Sequence, residues 1–102
     1  IKTGGYKVSA LEVEDALREL PGVRGCAVVG LPDEEWGERV AAAIVPAAGA
    51  MVTLETVREW SRSRLAAYKF PSRVLVVDEL PRNAMGKVMK TRVRELFDDA
   101  QG

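Results

Sequence analysis

Histidine is absent from the 102 residues, and cysteine occurs once. The first absence excludes Ser-His-Asp and Cys-His catalysis, histidine metal sites and histidine pH switching. The second excludes an internal disulfide and a cysteine zinc cluster. Neither sign of charge is in excess, since fifteen Lys and Arg balance fifteen Asp and Glu. A dedicated nucleic-acid or anionic-membrane binder carries a basic surplus, so neither nucleic acid nor membrane is an expected partner. No apolar run approaches the roughly 18 residues that span a bilayer, and no secretory leader stands at the start. The lone Cys26 lies in the run Cys26-Ala27-Val28-Val29, which predicts a buried, inert thiol. A reducing, cytoplasmic setting fits these features.

What is present is an ordinary globular mixture, 47% hydrophobic and 29% charged. The length suits one domain whose core buries roughly two-thirds of the unfolded chain's surface. Because the first residue is Ile1, the expectation is a piece of a longer protein.

Lys2 to Lys7 (KTGGYK) reads as an open loop leading into a short strand at Tyr6 to Val8. Ser9 and Glu12 form a capping box for a helix carrying Leu11, Val13, Ala16, Leu17 and Leu20, stopped by Pro21-Gly22. Glu12, Glu14 and Asp15 then fall in its solvated first turn. Val23 to Leu31 and Arg39 to Val45 read as buried strands, separated by a polar turn around Trp36. Thr53 caps a helix from Leu54 to about Ala67, with Leu54, Val57, Trp60 and Leu65 inward; Pro71 disfavours helical geometry at Phe70 and closes that segment. Arg73 to Asp78 is a third strand, Pro81 to Lys87 a loop, and Lys90 to Asp98 a helix with Val93, Leu96 and Phe97 inward. The pattern predicts an α+β domain: a central three-stranded sheet, minor extra strands and about three helices.

Gly86-Lys87 invites a phosphate-binding P-loop reading, but Pro81 stands where the motif needs Gly and Val88 where it needs Ser or Thr. What remains is lysines in mobile, glycine-flanked loops: Lys2 and Lys7 around Gly4-Gly5, and Lys87 after Gly86. Composition alone makes such lysines solvated surface charges. Their functional use is as compact cations meeting phosphate or carboxylate.

Three stretches in order, IKTGGYKVSALEVE, VVGLPDEEWGERVAAAIV and LPRNAMGKVMK, resemble the small C-terminal domain of the adenylate-forming enzymes. These include acyl-CoA synthetases, luciferases and peptide-synthetase adenylation domains. The finer likeness is to malonyl- and methylmalonyl-CoA synthetases. The resemblance implies a mobile domain, residues 1–102, whose larger N-terminal partner domain and hinge lie outside this sequence. It implies ATP and coenzyme A as substrates, with Mg²⁺ held alongside ATP by that partner, and an acyl-adenylate passed between two half-reactions. No metal site is expected in this domain.

Lys87 matches the adenylation lysine, with Gly86 allowing close backbone approach to the nucleotide. Gly4 and Gly5 match the loop of the coenzyme A channel. Lys2 matches a lysine implicated in thioester formation in some branches. Lys7 and Arg62 fall where some synthetases place cations for coenzyme A phosphates, although a solvated helix face accounts nearly as well for Arg62. Trp36 reads as a packing anchor, and Tyr6 as either a stacking or an edge-packing ring. The isolated domain is expected to be inactive. A second reading makes Lys87 the target of a GNAT-type lysine acetyltransferase, which erases its charge. A third, a domain that has lost its chemistry, predicts a damaged PRNAMGK loop, and here that loop is intact.

Overall fold

Residues 26–31 and 40–45 are apolar or glycine at every position, so strands through them must be covered on both faces. The computed structural model, which describes residues 1–101, shows this arrangement. The elements run β1 (Lys2–Thr3), β2 (Tyr6–Lys7), α1 (Ala10–Arg18), β3 (Val23–Asp33), β4 (Gly37–Pro46), α2 (Leu54–Ser61), a 3-10 turn (Ala67–Lys69), β5 (Arg73–Val76) and α3 (Lys90–Gln101). Strand β4 is central. It pairs antiparallel with β3, from Val23–Pro46 to Asp33–Gly37. Its other edge is shared: β1 joins at Gly37 and the parallel β5 joins from Ala41 to Ile44. A parallel neighbour requires a crossover, and the segment containing α2 supplies it.

The period of two along β3 and β4 divides the core into two layers. Cys26, Val28, Val40, Ala42 and Ile44 pack with Val13 and Leu17 of α1 and Val57 of α2. Ala27, Val29, Leu31, Ala41, Ala43 and Val45 pack with Val93 and Phe97 of α3. The outcome is the expected α+β domain, with β3, β4 and β5 at its centre, β1 and β2 as minor strands, and three helices.

Several boundaries differ from expectation. Helix α2 ends at Ser61, well short of Ala67. Pro71 is too distant to stop it; the helix tightens at its end, where the Arg62 amide donates to the Glu59 carbonyl at 3.3 Å and the Arg64 amide to the Ser61 carbonyl at 3.0 Å, three residues back instead of four. Helix α1 ends at Arg18, before Pro21, and Leu11 is 61% exposed where an inward position was expected. Only half of the capping box forms. Ser9 Oγ accepts the Glu12 amide at 3.2 Å, but the Glu12 carboxylate turns away to Lys69 Nζ at 2.8 Å.

Glu14 is the larger correction. It is buried, not part of a solvated first turn. The outer edge of β3 has no strand neighbour among the described residues, and unpaired edge backbone must be covered. Glu14 Oε2 accepts the Val28 amide at 2.8 Å. Lys90 Nζ donates to the Val28 carbonyl at 2.7 Å and to Glu14 Oε2 at 2.5 Å. Two side chains thus occupy the hydrogen-bonding positions of a missing strand, and Arg94 Nε extends the cover to the Gly30 carbonyl at 3.3 Å.

Candidate functional site: two glycine-bearing hairpins

The KTGGYK segment is a hairpin, not an open loop. Lys2 pairs with Lys7 and Thr3 with Tyr6. The two central residues, Gly4 and Gly5, have φ of 56° and 86°. Positive φ at both positions is what a two-residue turn matching strand twist demands, and glycine adopts it without a Cβ penalty. Gly4 carries a second constraint. Its amide donates to the Trp36 carbonyl at 2.9 Å, and a Cβ placed there would lie 2.8 Å from Trp36 Cε3. At Gly5 such a Cβ meets nothing within 4 Å.

Opposite positions in a hairpin project to the same side, so Lys2 and Lys7 are brought together. Neither forms an ion pair with a carboxylate among the described residues. Both ammonium groups are available to an outside anion.

Tyr6 stacks on Tyr68, with ring centroids 4.3 Å apart. The pair borders a groove of about 500 Å³ whose walls include Gly4, Trp36, Arg39 and Arg58. The ring of Trp36 is half-exposed at the turn, held against Gly4. Arg39 Nε is buried without a hydrogen-bond partner among the described residues. Arg62, by contrast, is the residue just past α2 and not on it as expected, and its guanidinium is engaged 2.7 Å from Glu59.

The PRNAMGK segment is also ordered by its own hydrogen bonds. Met89 N–H donates to the Pro81 carbonyl, Asn83 N–H to the Lys87 carbonyl and Gly86 N–H to the Asn83 carbonyl, each at 2.9 Å. Arg82 and Val88 form an antiparallel bridge. Gly86, at φ 86°, makes the left-handed step that closes the three-residue tip. Asn83 is the hub: its side-chain oxygen accepts the Met85 amide at 2.9 Å and the Lys87 amide at 3.0 Å. Arg82 Nη1 donates to the Gly86 carbonyl at 2.8 Å. The inner face of the hairpin is thereby closed, and the Lys87 side chain is left exposed. No carboxylate pairs with it among the described residues. Lys69 and Lys90 are both ion-paired.

The two hairpins are not gathered into one site. The Gly4-Gly5 hairpin joins β4 at Gly37. Leu80, which leads into the Lys87 hairpin, packs at the Gly25–Val45 end. From Gly37 to Val45 a strand advances about 27 Å at its usual rise. Asn83 was not among the residues singled out from sequence, although an Asn opening an N-x-x-G turn is a readable signal. The Glu14–Lys90 contact spans 76 positions and had no such signal.

Cys26 takes no part in either hairpin. It is buried, with Sγ 3.6 Å from the Glu14 carbonyl. Burial pushes the thiol up to about 11 from 9.0, against the opposing charge of Arg18. The unfolded thiol ionises first, so between about pH 9 and 11 the folded state holds more protons and stability falls as pH rises. The stability of the Cys26→Ser variant should lack this slope. Iodoacetamide at pH 8 should label the wild-type thiol only after denaturant is added.

This geometry can be set beside known proteins. The model of the AMP-binding enzyme C-terminal domain matches residues 12–87. A probable CoA ligase of Humulus lupulus is 46% identical over the whole chain, which covers 18% of that protein. The mitochondrial malonate–CoA ligase of Bos taurus is 48% identical, again with full coverage of this chain and 18% of its own length. The crystal structure of apo MatB from Rhodopseudomonas palustris superposes with a TM-score of 0.92 at 39% identity, covering all of this chain and 20% of that one. The chain thus spans about a fifth of the length of the proteins it matches. It belongs to the AMP-binding enzyme C-terminal domain family, the small domain of AMP-forming acyl-CoA synthetases.

Proposed function

We propose that this domain is the catalytic lid of an ATP-dependent acyl-CoA synthetase, and that it presents its two hairpins in turn to one active site. The observation that carries this reading is the exposed Lys87, without a carboxylate partner among the described residues, on a hydrogen-bonded hairpin at the opposite end of β4 from a second, cationic hairpin. In the first half-reaction a substrate carboxylate attacks the α-phosphate of ATP and pyrophosphate leaves. Both reactants are anionic, so a positioned ammonium between them offsets repulsion and stabilises the charge of the transition state. In the second half-reaction the coenzyme A thiol attacks the adenylate carbonyl and AMP leaves. Gly4 and Gly5 leave room for the pantetheine chain, Lys2 serves thioester formation, and Lys7 meets a coenzyme A phosphate. ATP, its Mg²⁺ and the acyl group are assigned to the N-terminal domain of the full enzyme.

The test is Lys87→Ala in the intact ligase that carries this domain. Pyrophosphate-dependent ATP exchange should collapse, whereas thioester formation from supplied acyl-adenylate should persist. Equal loss of both half-reactions overturns the assignment. The exposure of Lys87 also favours a second reading, in which it is the substrate of a GNAT-type acetyltransferase. Incubation with such an enzyme and acetyl-CoA should label Lys87 and not the paired Lys69 or Lys90, read by peptide mass spectrometry. Labelling confined to Lys69 or Lys90 rejects it.

A further inference from the structure

The strongest unexplained feature is the charged pair at the edge of β3. A carboxylate that is 7% exposed costs desolvation, which its partner must offset. Covering Val28 alone does not require two charges, because a neutral carboxamide offers both the acceptor and the donor that the Val28 amide and carbonyl need. The pair does something a carboxamide at Glu14 cannot. It ties α1, through Glu14, to the first residue of α3, through Lys90.

Lys90 is also the exit of the Lys87 hairpin. The hairpin's last cross-strand bond is Met89 N–H to the Pro81 carbonyl, and α3 begins at the next residue. Leu80 fixes the entry strand by packing into the core. On the exit side Val88 is only partly buried and Met89 is exposed. The Lys90–Glu14–Val28 contact is the polar anchor nearest to Lys87 on that side.

We propose that Lys90 and Glu14 are positioning residues for Lys87, holding the hairpin at a fixed angle to the body of the domain so that the ammonium meets the nucleotide. This inference rests on the adenylation role assigned to Lys87. Displacing a reacting group by an ångström costs up to about a hundredfold in rate. Loss of the tie therefore lowers adenylation and spares the half-reaction served by the other end of the sheet.

Four variants of the intact ligase separate the possibilities: Lys87→Ala, Lys90→Met, Lys90→Arg, and the double variant Glu14→Gln with Lys90→Met. The single Lys90→Met leaves the buried Glu14 carboxylate with only Arg18 nearby, at 3.8 Å, and without its closest cation, and is expected to unfold more readily. The double variant restores hydrogen-bond partners to Val28 without charge, so thermal unfolding should return close to wild type. Its adenylation rate should remain on the order of tenfold or more below wild type, with thioester formation from supplied acyl-adenylate within about twofold. Lys90→Arg, which can span the same gap, should recover most of the adenylation. A double variant that folds like wild type and adenylates normally, while Lys87→Ala does not, overturns the positioning role alone. Equal loss in both half-reactions makes the pair merely structural and also overturns it. Normal adenylation by Lys87→Ala overturns the underlying reading instead.

Discussion

Lys87→Ala should lower adenylation by about a hundredfold to a thousandfold, which is the scale of removing one preorganised electrostatic donor from a transition state. The size follows from what surrounds the side chain. No carboxylate among the described residues competes for the ammonium, so its charge is available to the nucleotide. Nothing else on the hairpin replaces it: the exposed Arg82 is held on the Gly86 carbonyl at 2.8 Å. Lys87→Arg should recover only part of the loss. A guanidinium is broad and planar, while a bridge between a carboxylate and a phosphate needs a point charge on a slender stem. Single-turnover formation of acyl-adenylate in the intact ligase measures each value. A loss below about fivefold for Lys87→Ala contradicts the charge-bridging role.

Much of the fold was legible because its signals are local. Continuous apolar runs at 26–31 and 40–45 mark strands buried on both faces, and the caps at Ser9 and Thr53 mark helix starts. Helix ends were less legible. The end of α2 is a switch to i→i−3 backbone bonds at Arg62 and Arg64, and no glycine or proline at that point marks it in the sequence. The glycines of both hairpins were visible as breakers, yet their composition suggested loose loops. Order there comes from cross-strand hydrogen bonds and from Asn83, whose side chain closes the turn.

The candidate site was legible in part. Lys87, Gly86, Gly4, Gly5, Lys2 and Lys7 all lie on the two hairpins. Arg62 does not join them in the structure's own contacts, since its helix neighbour Glu59 takes its charge, although such an exposed pair is worth at most about 1 kcal/mol and is readily exchanged. Glu14 misled because a carboxylate in the first two turns of a helix normally faces solvent. Only the absence of a strand beside Val28 gives it a reason to be buried, and sheet order is a tertiary fact.

Gly4→Ala should have the opposite kinetic signature to Lys87→Ala. Two costs coincide at this position. At φ 56° an alanine pays the left-handed penalty, on the order of 1 kcal/mol. Its Cβ also meets Trp36 Cε3 at 2.8 Å, which is inside van der Waals contact. The ring is half-exposed and can yield, so the domain still folds; but the ring and the hairpin tip must separate, and both border the groove beside Tyr6 and Tyr68. Thioester formation from supplied acyl-adenylate should fall by about tenfold to a hundredfold, the scale of a small misplacement near reacting groups. Adenylation should stay within about twofold, because the Lys87 hairpin is anchored at the other end of β4. Gly5→Ala separates strain from steric contact. It carries a comparable φ of 86° but its Cβ meets no atom within 4 Å. If both variants impair thioester formation equally, backbone strain alone is responsible; if Gly4→Ala is the more damaging, the contact with Trp36 is what shapes the channel. Loss of adenylation in either variant would contradict the division of labour between the two ends of the sheet.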